Sequence, residues 1–508
     1  MNTGEKVARG IIYNAFGNIF VQIIGIITAI IIARTLGPEL QGTYVLIVSI
    51  PVTINTFITL GWNQGLNRYI PALRGENKEG LITPILRRVF ALRFILSIFA
   101  ILFLILFSDL IESLFNIQGW LNWQVLTLIS AYLVISNLSS ILSMILTVNY
   151  QQRMLNFIHV LTTASMLLAV LGLVYFDFMN VESILFFTVI LEILSFVCFL
   201  VVYKKSIVLP HDYNPEEFVE YIKKFSRYSS IMYLIQLAGF ILAYRSDIYF
   251  IAYYLGATSV SFYSIANSFV DSSLHIFGAR STGTMIVGTM TEKYKQEGKG
   301  ALNKVFSYDV QLVFLYSVPI ISGGIFLAED IVSVLYGADY MPVAPLLMVL
   351  FFIRLFTGFG GAYSGVLIAL EKPQYFLWTK IISIINIPLD ILLIPRIGVM
   401  GAVIATAITV MLTTYTEIFL TLRIISLKFP FKNVLKMLLC SSIMIAGIFF
   451  VKEFVNIDIM VKLALEITLG AFIYVFLVLN LDVLDKEVWS FMPGKVIYML
   501  DKIKVVKG

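Results

Sequence analysis

The sequence predicts an all-α, polytopic membrane protein with about fourteen transmembrane helices. They are arranged as two parallel six-helix repeats around a central cavity plus a C-terminal helix pair. Three observations predict it. The 508 residues are 59% hydrophobic and 13% charged, whereas soluble domains carry about 25% charged residues, and the mean hydropathy is +0.91. Apolar runs of about 18 to 25 residues recur from end to end, each long enough to cross a hydrocarbon core ~30 Å thick as a helix. Lys and Arg then fall mostly on alternate sides of the map those runs define.

The first span, 11–33, follows Lys6 and Arg9 and ends without a small-residue cleavage site, so it reads as a retained signal-anchor helix behind a cytoplasmic N-terminus. Spans 43–62, 89–107, 124–146, 157–176 and 183–203 complete an N-terminal six-helix lobe, residues 1–203. Residues 204–228 form a cytoplasmic linker that carries Lys204, Lys205, Pro210, Pro215, Lys223, Lys224 and Arg227. Spans 229–253, 260–280, 306–328, 342–369, 376–394 and 400–422 form the C-terminal lobe, residues 229–422. Residues 423–508 add spans 437–452 and 461–481 and a cytoplasmic tail. The odd-numbered loops hold Arg34, Arg396, Lys452 and Lys462, while Arg245 and Arg354 fall inside spans. This asymmetry puts both termini in the cytoplasm.

Two short matches support the repeat. A shift of 219 residues aligns Ala33, Leu36, Gly37 and Tyr44 with Ala252, Leu255, Gly256 and Tyr263, and a shift of 221 aligns Asp109 and Leu114 with Asp330 and Leu335. Six spans per repeat is an even number, so both repeats enter the membrane in the same sense. The net charge of +5 resides in cytoplasmic loops that face anionic headgroups, and no nucleic-acid motif accompanies it. Cys198 and Cys440 sit within apolar spans and read as small core residues, which argues against a disulfide or redox site.

Polar residues inside spans are costly and mark function or helix contact. In the eighth span Tyr263, Asn267, Asp271 and His275 recur every four residues on one face, and in the first Asn14, Gly17, Asn18, Gly25 and Thr28 cluster likewise. Arg245 and Asp247 lie two positions apart, so they cannot satisfy each other on a helix. Arg354 lies deep in the tenth span, facing either a wet cavity or a carboxylate, whereas Arg34 and Arg280 lie near span ends, where snorkelling and a cavity role are both open. Guanidinium groups suit a phosphorylated or carboxylated ligand. Glu192, Asp271, Asp309, Asp390 and Glu417 suit a coupling proton or cation, or ion pairs with those arginines, and Asp271 and His275 stand one turn apart.

Several stretches resemble the polysaccharide flippase family, the exporters of lipid-linked oligosaccharides in the superfamily that also holds multidrug extruders and the lipid II flippase. They are ARTLGPELQGTY, GLNRYIP, RSDIYFIAYYLGATSVSFYSIANSF, LYGADY and LIPRIGVMGAVIAT, and they cover both repeats. The resemblance implies a twelve-helix core of two lobes with alternating access, a basic cavity for the sugar and its (pyro)phosphate, and a groove for the polyprenyl tail beside the last two spans. The candidate substrate-binding residues are Arg34, Arg245, Arg280, Arg354, Asn14, Asn18 and Asn267; the candidate ion-coupling residues are Asp247, Asp271, His275, Asp390 and Glu417. No catalytic residue, cofactor or metal is expected. The expected partners are the glycolipid, membrane lipids and glycosyltransferases or a polymerase of the same pathway, in the cell membrane. A cation-coupled drug extruder is the first alternative, against which the first span contains no Asp or Glu. A glycan polymerase or ligase is the second, against which the longest external loop, about 108–123, is short.

Overall fold

The computed structural model describes residues 3–206, 214–241, 244–276, 279–370 and 373–489, and among these it is helical with no strands. In chain order come α1 (Thr3–Ile58), α2 (Trp62–Gly75), α3 (Ile82–Leu106), α4 (Ser108–Phe115), α5 (Trp123–Val148), α6 (Gln152–Tyr175) and α7 (Val181–Ser206). Then follow α8 (Pro215–Ile241), α9 (Tyr244–Leu255), α10 (Ala257–Ile276), α11 (Ala279–Glu297), α12 (Lys299–Phe326), α13 (Ala328–Leu335) and α14 (Val343–Ala369). The chain continues with α15 (Pro373–Ile382), α16 (Asn386–Ile397), α17 (Val399–Ile424), α18 (Phe431–Phe454), α19 (Ile459–Asn480) and α20 (Lys486–Trp489).

Among the described residues, ten helical stretches are long and apolar enough to cross a membrane. The longest, Gly17–Ile58, covers most of the first two expected spans. They meet at Gly37, whose φ of 76° and ψ of 171° break the helix. Glycine tolerates this backbone, and Pro38 then starts the second arm, where its missing N–H has no intrahelical partner to lose. The expected span at 376–394 is divided, while those at 229–253 and 260–280 include residues outside the described ones. Glu220, Lys223, Lys224 and Arg227 make the first half of α8 polar, and a 3₁₀ turn, Ser383–Ile385, separates α15 from α16.

The sequence repeat reappears as local structure. Gly256, the counterpart of Gly37, also has positive φ, 80°, and separates α9 from α10. The second match falls on α4 and α13, each 8 residues long and each following a long helix. Gly42 meets the start of α10 so closely that a Cβ there would lie 1.8 Å from the Ala257 carbonyl oxygen.

Two compact units emerge from the packing. Unit 1 comprises residues 1–265 and 383–405, so α8, α9 and α16 pack with the first seven helices. Gln236 of α8 donates to the Thr59 hydroxyl at 3.0 Å, and Tyr249 of α9 donates to Thr53 at 2.7 Å. Asn116, at the end of α4, donates to the carbonyls of Ala252 and Tyr253 at 3.0 and 3.1 Å.

Unit 2 comprises residues 266–382 and 406–508. Its core joins Phe306, Val310 and Phe314 of α12, Val366 of α14, Met437 and Cys440 of α18 and Tyr474 of α19. The α18–α19 hairpin is pinned to its unit at both ends. At one, Lys452 pairs with Asp330 at 2.5 Å; at the other, the buried Gln311 amide donates to Asp485 at 2.6 Å and accepts from Asn433 at 3.2 Å. Cys198 and Cys440 are both free thiols, and Cys440 is buried in that core.

Candidate functional site

Unit 1 contains a buried pair of acids. Asp247 is on α9, Asp390 on α16, and they are 1% and 0% exposed. One amide joins them, since Asn386 Nδ2 lies 2.9 Å from Asp247 Oδ1 and 2.9 Å from Asp390 Oδ2. Tyr263 of α10 donates its hydroxyl to Asp247 Oδ2, and Ser246 donates to Oδ1 at 3.2 Å. The remaining oxygen, Asp390 Oδ1, has no hydrogen-bond partner among the described residues. The local backbone explains the placement. The helix restarts at Asn386 after the 3₁₀ turn, with Pro388 in its first turn where proline is tolerated, and Asn386 and Asp390 stand four residues apart on one face. Two buried carboxylates that share one amide repel each other, and a proton or cation between them relieves that repulsion.

Unit 2 contains a chamber of about 260 Å³ lined by both charged and apolar side chains. Asp271 and His275 enter it from α10, Asp309 from α12 and Arg354 from α14. Arg354 forms an ion pair with Asp271, and its Nη2 donates to Asn267 Oδ1 at 3.1 Å. The guanidinium therefore faces both features that the sequence left open, a carboxylate and a cavity. The four-residue period of α10 accounts for the arrangement, because Asn267, Asp271 and His275 stack along one side.

The other expected residues are dispersed. Asn18 and Arg34 are exposed on α1, and neither lines the chamber. Glu417 is buried against α14, with Oε2 in the space that a Cβ on Gly360 would enter, 2.6 Å away. The side chains of Asn14, Arg245 and Arg280 lie outside the described residues.

One intramembrane cation escaped the sequence reading. Arg93 of α3 is 0% exposed. Its Nη1 donates to Ser140 Oγ at 2.8 Å and to the Asn137 carbonyl and Oδ1 at 3.3 Å each, and its Nη2 donates to Asn63 Oδ1 at 2.9 Å and the Thr59 carbonyl at 3.4 Å. All of these acceptors are neutral. Arg93 sits just inside the third expected span and reads in sequence as a continuation of the Arg87–Arg88 flank; the apolar run from Phe90 to Leu96 around it is the signal that places it in the membrane.

Ten apolar helical stretches among the described residues, each long enough to cross a bilayer, define a multi-pass membrane protein. The fold is similar to the lipid II flippase MurJ in an inward closed conformation, with a TM-score of 0.68 and 19% identity over 92% of this chain and 98% of that one. It is also similar to an inward-facing multidrug resistance MATE family transporter, with a TM-score of 0.60 and 15% identity over 80% and 94%. In sequence, an uncharacterized membrane protein of Methanocaldococcus jannaschii is 24% identical over 90% of this chain and 92% of its own length. A probable low-salt glycan biosynthesis flippase of Haloferax volcanii, Agl15, is 20% identical over 49% of this chain and 52% of its own. The chain belongs to the polysaccharide biosynthesis protein family, whose pattern matches residues 31–345.

Proposed function

We propose that the protein moves a polyprenyl-phosphate- or polyprenyl-pyrophosphate-linked oligosaccharide from the cytoplasmic to the outer leaflet of the cell membrane, by alternating access and without covalent chemistry. The observation that carries this reading is membership of a polysaccharide biosynthesis family on a fold shared with a lipid II flippase. Two helical lobes act in alternation, with both termini cytoplasmic. Arg354 holds the phosphate by exchanging Asp271 for it, assisted by Asn267, and Arg34, Arg245 and Arg280 supply further positive charge, with Asn14 and Asn18 hydrogen-bonding sugar hydroxyls. Beside the hairpin lies a largely apolar cavity of about 530 Å³, lined by Leu315, Pro319, Phe351, Met444 and Val475 among others, which suits an isoprenoid chain. Asp247 and Asp390 hold the coupling proton or monovalent cation, which relieves the repulsion within the acid pair. Glycosyltransferases or a polymerase of the same pathway act before and after it.

A cation-coupled drug extruder is the second reading, favoured by that acid pair. The test is leaflet transfer of a labelled polyprenyl-pyrophosphate oligosaccharide in proteoliposomes, with an amphipathic drug cation in parallel vesicles. Transfer of the glycolipid alone is the expected result. Transfer of the cation alone would move the chain to the extruder reading.

A further inference from the structure

Asp309 has no part in the function proposed above, yet it faces the same chamber as Arg354. It is 8% exposed and has neither a hydrogen bond nor an ion pair among the described residues. The charged and titratable groups that line the chamber with it are Asp271 and His275 from α10, Arg354 from α14 and Tyr316 from α12 itself. Among the described residues, α11 contributes the apolar Val287 to the lining, and α18 and α19 contribute none. Arg354 and Asp271 cancel as an ion pair. Among the described residues Asp309 is left as the uncompensated charge of the chamber. Burying an unpaired carboxylate is expensive, and the cost is relieved by a proton or by an approaching cation.

One observation decides between these: no group of three His, Cys, Asp or Glu placed to hold a metal occurs among the described residues. A proton needs neither ligands nor room. The chamber of about 260 Å³ is nevertheless large and polar enough for water to deliver one. We propose that the unit 2 chamber is a proton-binding site, separate from the acid pair of unit 1, in which Asp309 carries the proton. The proton adds to one carboxylate oxygen and no other bond changes. The site stands whatever the cargo; only its use in driving transport rests on the flippase reading.

Infrared difference spectroscopy of the full chain in lipid, between alkaline and acidic pH, reads the carbonyl stretch of protonated carboxyl groups directly. Wild type should show a band that Asp309→Asn removes and Asp390→Asn retains, and Asp309→Glu should shift it. If Asp309→Asn does not run as a monodisperse species in gel filtration, Asp309→Glu carries the test alone. An unchanged spectrum in the folded Asp309 variants would overturn the proposal. A wild-type band that responds to Asp309 in a protein that moves no glycolipid would overturn the flippase reading and leave the proton site standing.

Discussion

Two arginines stand inside membrane-crossing helices, and their surroundings are opposite. Arg93 is fully buried, and its terminal nitrogens meet backbone carbonyls, amides and a hydroxyl, all neutral. Arg354 has a side chain 25% exposed, is paired with an acid and opens on a chamber. A fully buried guanidinium wrapped by neutral dipoles from α2, α5 and the turn after α1 leaves no opening for a ligand, so its hydrogen bonds serve to hold α2, α3 and α5 together. A guanidinium held by one carboxylate beside open space can exchange that partner for another anion. Depth in the membrane is therefore a poor guide to function; the charge and accessibility of the partners discriminate better.

The sharpest way to break this contrast is Arg93→Met. It leaves the Asn63 and Ser140 acceptors without their donor, and hydrogen bonds to charged groups contribute ~1.5–3 kcal/mol each, so a loss of several kcal/mol is expected, seen as little monodisperse protein in gel filtration. A folded, active Arg93→Met would mean that the neutral shell is dispensable. Next in size, Arg354→Gln should keep the fold while lowering glycolipid transfer about tenfold or more, the equivalent of ~1.4 kcal/mol; an unchanged rate would remove Arg354 from the substrate path. Asp271→Asn should act with the opposite sign on binding. Without its tether, Arg354 should bind a lipid pyrophosphate roughly threefold to tenfold more tightly, on the order of 1 kcal/mol, measured by calorimetry, and weaker binding would show that the pair works as a unit. The smallest effect belongs to Lys452→Met, at a partly exposed ion pair of the kind that contributes ~0–1 kcal/mol. Its transfer rate should match wild type.

The fold was legible because lipid imposes a simple code: long apolar runs, small-residue turns and basic flanks. Gly37 and Gly256 were aligned from sequence alone, and both adopt the left-handed backbone that ends one helix before the next begins. The sites were legible only in part. The stripe of Asn267, Asp271 and His275 is local, so helical spacing displayed it. The pairing of Asp271 with Arg354 and of Asp247 with Asp390 joins residues far apart in the chain, and no periodicity encodes such partners. Asn386 lies inside the expected span 376–394 and, being uncharged, does not stand out there, although its amide is the link between the two acids. Asp309 was visible as an intramembrane carboxylate, but its lack of a partner is a property of packing.

Unit 1 is discontinuous, closing only when residues 383–405 return to it, and this sets an order of events during synthesis. Asp247 and Asn386 are 139 residues apart; at ~5–20 residues per second the ribosome needs on the order of ten seconds to make the intervening chain. For that interval α9 exists without the amide that will cradle its acid. Insertion of the helix and assembly of the acid pair are therefore separate steps, and a chain that stops between them carries Asp247 without that partner in the membrane.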